Sequence, residues 1–589
     1  MASTSTRIAQ EPRSSIFDVP ELVELVAQYL SGHDIIQCMA TSKAWERLFE
    51  PFVWQDVVLK GTILTPQAMA CNRHRIRSLQ VAHNDYTNLG TLADGLPSVT
   101  PFSPDNLDLT SSPLKSCGST VSSLATGSNI FQSLSTIHVG HKSHTRKLDE
   151  KDRLICLDYI FRIINQSPGL HWVTLGGEIL DQSDTQVQSL LYLLGHKLPC
   201  LKRLDVTYAQ IDLDIGLELV RVCFNHPQLA DLDCRLSVRR AGYYRSKNSQ
   251  RLNAFLTALE NDHKTREASG ELAVGTRIKS LKLPKFEDGY PSNFICALLR
   301  SHLPNLEQFD VPEIYDNEDT SYSDSLKKAV AQGCPRLQHI RVSWNNYTFE
   351  RTIHQAMDGI IQGCNEMGLK SLHWDGFQQR YAQRTMRILL EGHSTTLEEI
   401  ELRDCRDIDH SNIMGIFSVC KNLRKVVIIP NMYGNAILSF QDMVLQEWVC
   451  HDLKELNLTI TRPRVARGEE EEDVMAKQAY EQIGRLSKLE TLCLGCVRRQ
   501  DPDASVRESE YDLTLERGWL AGLAGLKEMR YFYMATDFWS RMGQAEVEFM
   551  DANWPKLEKI TFGRYGSRGD FDKPHWDWLQ EKRPHLQYC

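Results

Sequence analysis

Leu201 to Val206 reads LKRLDV, and the same string returns along the chain. It recurs as LADLDC from Leu229, IKSLKL from Ile278, LEQFDV from Leu306, LQHIRV from Leu337 and LKSLHW from Leu369. LEEIEL from Leu397, LRKVVI from Leu423, LKELNL from Leu453, LETLCL from Leu489, LKEMRY from Leu526 and LEKITF from Leu557 continue it. Upstream, LHWVTL from Leu170, LSTIHV from Leu134 and a weaker IRSLQV from Ile76 fit too. Each copy is apolar at its first, fourth and sixth positions. From Leu170, successive first positions lie 31, 28, 49, 28, 31, 32, 28, 26, 30, 36, 37 and 31 residues apart. The longest step holds an insertion, RRAGYYRSKNSQR.

The fourth and sixth positions alternate with period two, as in a short strand. Helical patterns precede most copies, among them FICALLRSHL, TMRILLEGH and IMGIFSVC. Strand alternating with helix predicts parallel strands joined by helical crossovers. One such unit is too small to bury its own apolar face, so units must stack.

Composition bounds the rest. At 589 residues the chain is too long for one compact core. With 42% hydrophobic residues, 24% charged residues and a net charge of −9, it lacks the basic excess that nucleic acid or an acidic membrane surface rewards. No apolar run is long enough to span a membrane, and the start MASTSTRIAQEPRSS has no signal-peptide core. Sixteen cysteines, most inside apolar runs, fit reduced thiols in the cytoplasm or nucleus. Cys493 and Cys496 form a lone C-x-x-C with no second pair, and read as a strand and its turn. The Ser/Thr/Pro-rich stretch 84–128 reads as a mobile loop, and RGEEEEDV (467–474) as a solvated loop edge.

The repeat resembles the leucine-rich-repeat family in its longer, helix-containing subclass, over roughly residues 130–565. The fold class this implies is α/β: a solenoid with parallel strands on a concave face and helices on a convex one. The terminal stretch with Trp576, Trp578 and Leu579 is expected to cover the last open repeat.

Ahead of the repeats stands FDVPELVELVAQYL, 17–30, followed by SGHDIIQCMATSKAWERLFEPFVWQDVVL. Asp18 can cap a first helix, Pro20 suits its first turn, and Leu22, Leu25, Val26 and Tyr29 recur at helical spacing. Asp34 and Ser42 can cap a second and a third helix. Three short helices make a poor independent core, so they dock on their own chain or on a partner. Pro20-Glu21-Leu22 with Val26 and Leu30, then Asp34-Ile35, Ser42-Lys43-x-Trp45-x-x-Leu48 and Trp54, resembles an F-box. Val19 stands where that family has leucine. An F-box joined to a leucine-rich solenoid resembles the substrate receptors of SCF-type ubiquitin ligases. The resemblance implies that Pro20, Leu22, Val23, Val26, Leu30, Ile35, Trp45 and Trp54 form the surface for the Skp adaptor, or its support. Trp45 suits internal packing equally well. Through the adaptor the chain would join a cullin scaffold.

The domain plan that follows is an F-box-like unit at 16–58, a connector with a degenerate repeat at 59–83, the loop at 84–128, the solenoid at 129–565 and a cap at 566–589. Residues flanking the strand leucines should face the substrate. Basic ones, including Arg203, Arg341 and Arg530, nearly balance acidic ones, including Asp205 and Glu528. A mixed face suits a protein partner better than nucleic acid. Trp172, Val427, Ile429 and Phe532 are the apolar exceptions and candidate anchors; packing beneath a loop is the other role open to them. No phosphate loop, G-x-S-x-G, H-E-x-x-H or paired zinc spacing occurs, so neither a catalytic role nor a cofactor is expected. The rival to a ligase receptor is a non-catalytic scaffold whose F-box-like unit assembles no ligase.

Overall fold

The computed structural model describes residues 20–30, 32–53, 55–59, 72–81, 133–139, 150–176, 193–195, 197–211, 213–238, 245–271, 275–286, 290–315, 322–343, 350–364, 368–376, 379–405, 410–430, 438–461, 469–495, 513–534, 542–562 and 574–588. The stretch 84–128, Asp18, Trp54 and Cys496 lie outside them. The chain divides into two compact units, Met1–Tyr243 and Tyr244–Cys589.

The first unit opens with α1 (Pro20–Gln28), α2 (Gly32–Thr41) and α3 (Lys43–Val53). A parallel ladder follows: β1 (Asp56–Leu59), β2 (Ser78–Val81), β3 (Thr136–Val139), β4 (Trp172–Gly176), β5 (Arg203–Ile211) and β6 (Asp231–Val238), each paired with the next. Helices α4 (Glu150–Asn165) and α5 (Leu213–Asn225) are crossovers. The weak copy at Ile76 is a full rung, since β2 pairs on both sides. The ladder starts at Asp56, so the expected border at residue 58 cuts through a strand.

The second unit begins with α6 (Arg245–Ser269), a 25-residue helix that takes up the end of the insertion. Its ladder runs through β7 (Ser280–Lys282), β8 (Gln308–Val311), β9 (His339–Ser343), β10 (Ser371–Asp375), β11 (Glu399–Cys405) and β12 (Lys425–Pro430). It continues with β13 (Glu455–Thr461), β14 (Thr491–Gly495), β15 (Tyr531–Met534), β16 (Lys559–Phe562) and β17 (Gln587–Tyr588). The crossovers are α7 (Ser292–His302), α8 (Tyr322–Gly333), α9 (Glu350–Gly363), α10 (Gln379–His393), α11 (His410–Val419), α12 (Phe440–Val444) and α13 (Glu469–Gly484). A 3-10 turn at Leu520–Leu523, α14 (Gln544–Asn553) and α15 (Pro574–Lys582) complete them. This is the leucine-rich-repeat architecture, an α/β stack of parallel strands and helical crossovers.

Two physical devices build each rung. The first, fourth and sixth apolar positions are buried, as at Leu201, Leu204 and Val206. Each fully buried leucine contributes about 1.5–3 kcal/mol. The carbonyl of the second position then accepts two amides from the next copy. His171 O takes Lys202 N at 2.8 Å and Arg203 N at 3.0 Å, and Lys370 O takes Glu398 N at 2.8 Å and Glu399 N at 2.9 Å. Within each unit, backbone groups ahead of most strands are thereby paired with the neighbouring rung, which fixes the register.

Two expectations are corrected. Glu469 to Glu472 are not a loop edge but open α13. The C-terminal stretch covers the last repeat with Trp576 and Leu579, both buried, but also adds β17 to the ladder. Trp578 stays half-buried beneath the Lys582 ammonium, 4.3 Å from its ring centroid.

Candidate protein-docking surfaces

The N-terminal helices have a core of their own. Val23, Ala27, Ile35 and Phe49 are buried, and Leu30, Cys38, Met39, Trp45, Leu48 and Phe52 pack around them. Trp45 and Phe49 lie 5.6 Å apart and Phe49 and Phe52 6.2 Å apart, centroid to centroid. The Ser42 hydroxyl accepts from Trp45 N at 3.2 Å and caps α3 as its sequence suggests. Arg77 reaches Glu24 at 3.3 Å and Arg75 reaches Glu50 at 3.7 Å, tying the helices to the first rungs.

That core leaves a second apolar face uncovered. Leu22, Leu25, Val26 and Tyr29, one side of α1 and its following turn, are exposed, Leu25 by 50% and Tyr29 by 84%; Ile36 on α2 is 54% exposed. Of the residues expected at an adaptor surface, Leu22 and Val26 are on it. Val23 and Ile35 lie beneath it, and Leu30 and Trp45 pack half-buried against the core. Pro20 stands in the first turn of α1. Leu25, Tyr29 and Ile36 were absent from the expected set, although the i, i+3, i+4, i+7 spacing of residues 22, 25, 26 and 29 signals the first two.

Two groups stand out among the described outward strand residues, one within each unit. In the first unit, Trp172, Arg203 and Asp205 come together. The Trp172 indole N–H donates to Asp205 Oδ2 at 2.9 Å, and the Arg203 guanidinium lies 4.4 Å from the Trp172 ring centroid. Arg203 also donates through Nε to Asp205 Oδ1 at 3.1 Å. His138 meets Trp172 edge-on at 4.7 Å, and its Nδ1 lies 2.8 Å from Thr174 Oγ1. Burial lowers the His138 pKa from its ordinary value, against the pull of Asp205.

In the second unit, Glu401 is the hub. His373 approaches it at 3.3 Å and Lys425 at 3.6 Å, Arg403 donates to it through Nε, and Lys425 continues to Glu455 at 3.4 Å. Burial alone would raise the Glu401 carboxyl; the Arg403 hydrogen bond and the surrounding cations outweigh it and hold it below the usual range. Arg341 pairs in register with His373 and is exposed. Ile429 is half-buried on the same side of β12.

Two expected anchors are corrected. Val427 stands in the outward row between Glu401 and Asn457, yet it is 3% exposed, two residues from Lys425, which pairs with Glu401 and Glu455. Phe532 is not outward at all. It pairs with Leu492 and Ile560 in the core row and is fully buried. The copy is framed on Met529 and Phe532 rather than on Leu526 and Met529. Arg530 and Glu528 consequently leave the outward rows, and Tyr531 and Tyr533 take the positions that sequence reading missed.

Among the described residues, no three His, Cys, Asp or Glu are grouped to hold a metal, and no helix is long and apolar enough to cross a membrane. Burial pushes the Cys493 thiol up to about 11. No protein-family pattern matches the chain, and no curated protein is significantly similar to it. Among solved structures, the leucine-rich repeat-containing protein LegL7 from Legionella pneumophila matches at 12% identity over 67% of this chain and 95% of that one, with a TM-score of 0.30. A chain of the Rad7 and Elc1 complex in yeast matches at 12% identity over 58% and 96%, with a TM-score of 0.24. At that level of superposition neither likeness bears on function.

Proposed function

We propose that this chain is the substrate-recognition subunit of an SCF-type ubiquitin ligase, acting in the cytoplasm or nucleus without catalytic chemistry of its own. Helices α1–α3 bind a Skp adaptor, which brings the cullin, and the outward strand residues receive a protein substrate. The observation that carries this reading is the exposed apolar face of Leu22, Leu25, Val26, Tyr29 and Ile36 on helices whose own core is already filled. An apolar face presented at helical spacing is how a helix enters a partner's groove. The mixed charge of the strand rows supports a protein rather than a nucleic acid as the second partner.

The test is co-purification of the full chain with the Skp adaptor and cullin, repeated for Leu25→Ser combined with Tyr29→Ser. Capture of both by the wild type and neither by the variant is the expected result. Failure of the wild type to hold the adaptor overturns the receptor reading. Adaptor without cullin makes the chain a scaffold.

A further inference from the structure

Helix α6 belongs to the insertion that the repeat does not account for, and it is the first helix of the second unit. It packs on α7, which packs in turn on α8. Leu252, Phe255 and Leu259 form its buried stripe, and the Phe255 and Phe294 rings lie 5.9 Å apart. Helical spacing puts position 263 next on that stripe, four residues beyond Leu259. A histidine stands there instead of an apolar residue. Beyond it α6 reads KTREAS, in which Arg266 reaches Glu271 at 3.9 Å. His263 is therefore the last ring or aliphatic side chain that ties α6 to α7.

Its counterpart is His302, at the end of α7. The two rings meet edge to face, centroids 6.1 Å apart and planes at 79°. His302 is 4% exposed and His263 is half-buried. Nδ1 of each is buried and has no hydrogen-bond partner among the described residues. A neutral imidazole can keep its proton on Nε2 and leave Nδ1 a bare lone pair. Protonation makes Nδ1 a charged, buried donor with no acceptor, and a second proton would set two like charges against each other. Burial, and after it His263, lower the His302 pKa from its ordinary value, while Glu260, one turn back on α6, pulls the other way. Arg300 of α7 and Asp324 and Lys328 of α8 are exposed and Lys327 is half-buried; none of them is among the groups acting on His302. With the folded value lowered, the contact stabilises the packed helix above about pH 6.5 and loses that contribution as pH falls.

We infer that the His263–His302 contact is an acid-release latch: protonation frees the C-terminal part of α6, residues 260–269, from α7 while α8 stays folded. The release is local because the stripe upstream, Leu252 to Leu259, is apolar and carries no group that titrates in this range. The latch stands independently of the receptor reading.

The test is hydrogen–deuterium exchange of the full chain at pH 7.5 and pH 5.5, read by mass spectrometry and corrected for intrinsic rates. An imidazole that takes its proton near pH 6.5 when released, and resists it when packed, shifts the open fraction about tenfold between those values. Protection over residues 260–269 should fall by that factor and recover on return to pH 7.5, while α8 keeps its protection. His263→Leu combined with His302→Leu replaces the pair by an apolar contact and should hold the segment closed at pH 5.5. His302→Gln, which removes the more buried ring alone, should abolish most of the change and serves if the double variant loses protection in α8 at pH 7.5. Unchanged protection over 260–269, an equal loss in α8, or variants that open in acid as the wild type does overturn the inference.

Discussion

Phe532 stands between Leu492 and Ile560 in the parallel ladder and meets Trp554 edge-on, ring centroids 5.0 Å apart. Both rings are fully buried, and the Trp554 indole N–H donates to Leu523 O at 3.1 Å. Phe532→Ala should therefore cost about 3–5 kcal/mol, the usual range for emptying an aromatic site in a core. Tyr533→Ala, one residue along on the outward row, should cost far less. Urea denaturation of the two variants checks the pair; equal losses would return Phe532 to the surface.

His354 is buried, packs against the Trp374 ring at 5.0 Å and contacts Thr385 through Nδ1 at 3.3 Å. Burial depresses its pKa to about 4. The unfolded imidazole takes its proton near pH 6.5 and the folded one only near 4, so within that window the unfolded chain binds more protons. Stability is lost as pH falls, by roughly 2 kcal/mol from this group between pH 7 and 5. His354→Gln should remove that share of the slope, measured as the difference in denaturation midpoints at the two pH values.

His393 works in the same direction by another route. Its Nε2 donates to Ile361 O at 2.8 Å, and its Nδ1 accepts from Leu369 N at 3.1 Å, bolting one crossover to the next. Burial lowers its pKa, and protonation at Nδ1 would break the second bond. Amide exchange at Leu369 should accelerate on acidification after correction for intrinsic rates; an unchanged protection factor from pH 7 to 5 would contradict this.

The exposed and the buried apolar sets of α1–α3 should separate folding from binding. Leu25→Ser, on the exposed face, should change stability by no more than about 0.5 kcal/mol yet weaken adaptor capture. Phe49→Ala empties the small core and should cost about 3–5 kcal/mol. Limited proteolysis of residues 20–53 beside adaptor pull-down distinguishes them. A Leu25→Ser chain cleaved as fast as Phe49→Ala would show that Leu25 supports the fold.

Gly484, at the end of α13, sits where two crossovers touch. A Cβ there would collide with the Gly522 carbonyl oxygen, and one on Gly525 with the Gly484 carbonyl. Gly484→Ala must push backbone apart and should cost about 1–3 kcal/mol by thermal unfolding, the range for overpacking. A neutral result would mean the two segments approach less closely.

The stack was legible because its code is local. Leu201, Leu204 and Val206 declare their inward side within six residues, and the next copy repeats the statement at a near-constant distance. The frame at 526–534 was not legible for the same reason. Leu526, Met529 and Phe532 are spaced by three, so two phases satisfy the apolar pattern equally. Only pairing with Leu492 and Ile560 selects one. The acidic run at 469–472 was illegible in a similar way, since four adjacent carboxylates repel one another and read as loop, whereas the chain there is the start of α13.

For the docking surfaces the division is similar. The sequence by itself determined that a short amphipathic helix stands ahead of a repeat stack, and which residues could share each side, because periodicity is a property of the chain. Whether Leu25 or Val23 is covered, that Val427 is buried in the outward row, and that Trp172, His138 and Asp205 meet from three strands were decided only by tertiary structure. Burial and cross-strand contact depend on what lies alongside in space, and those neighbours are about 30 residues or more away along the chain.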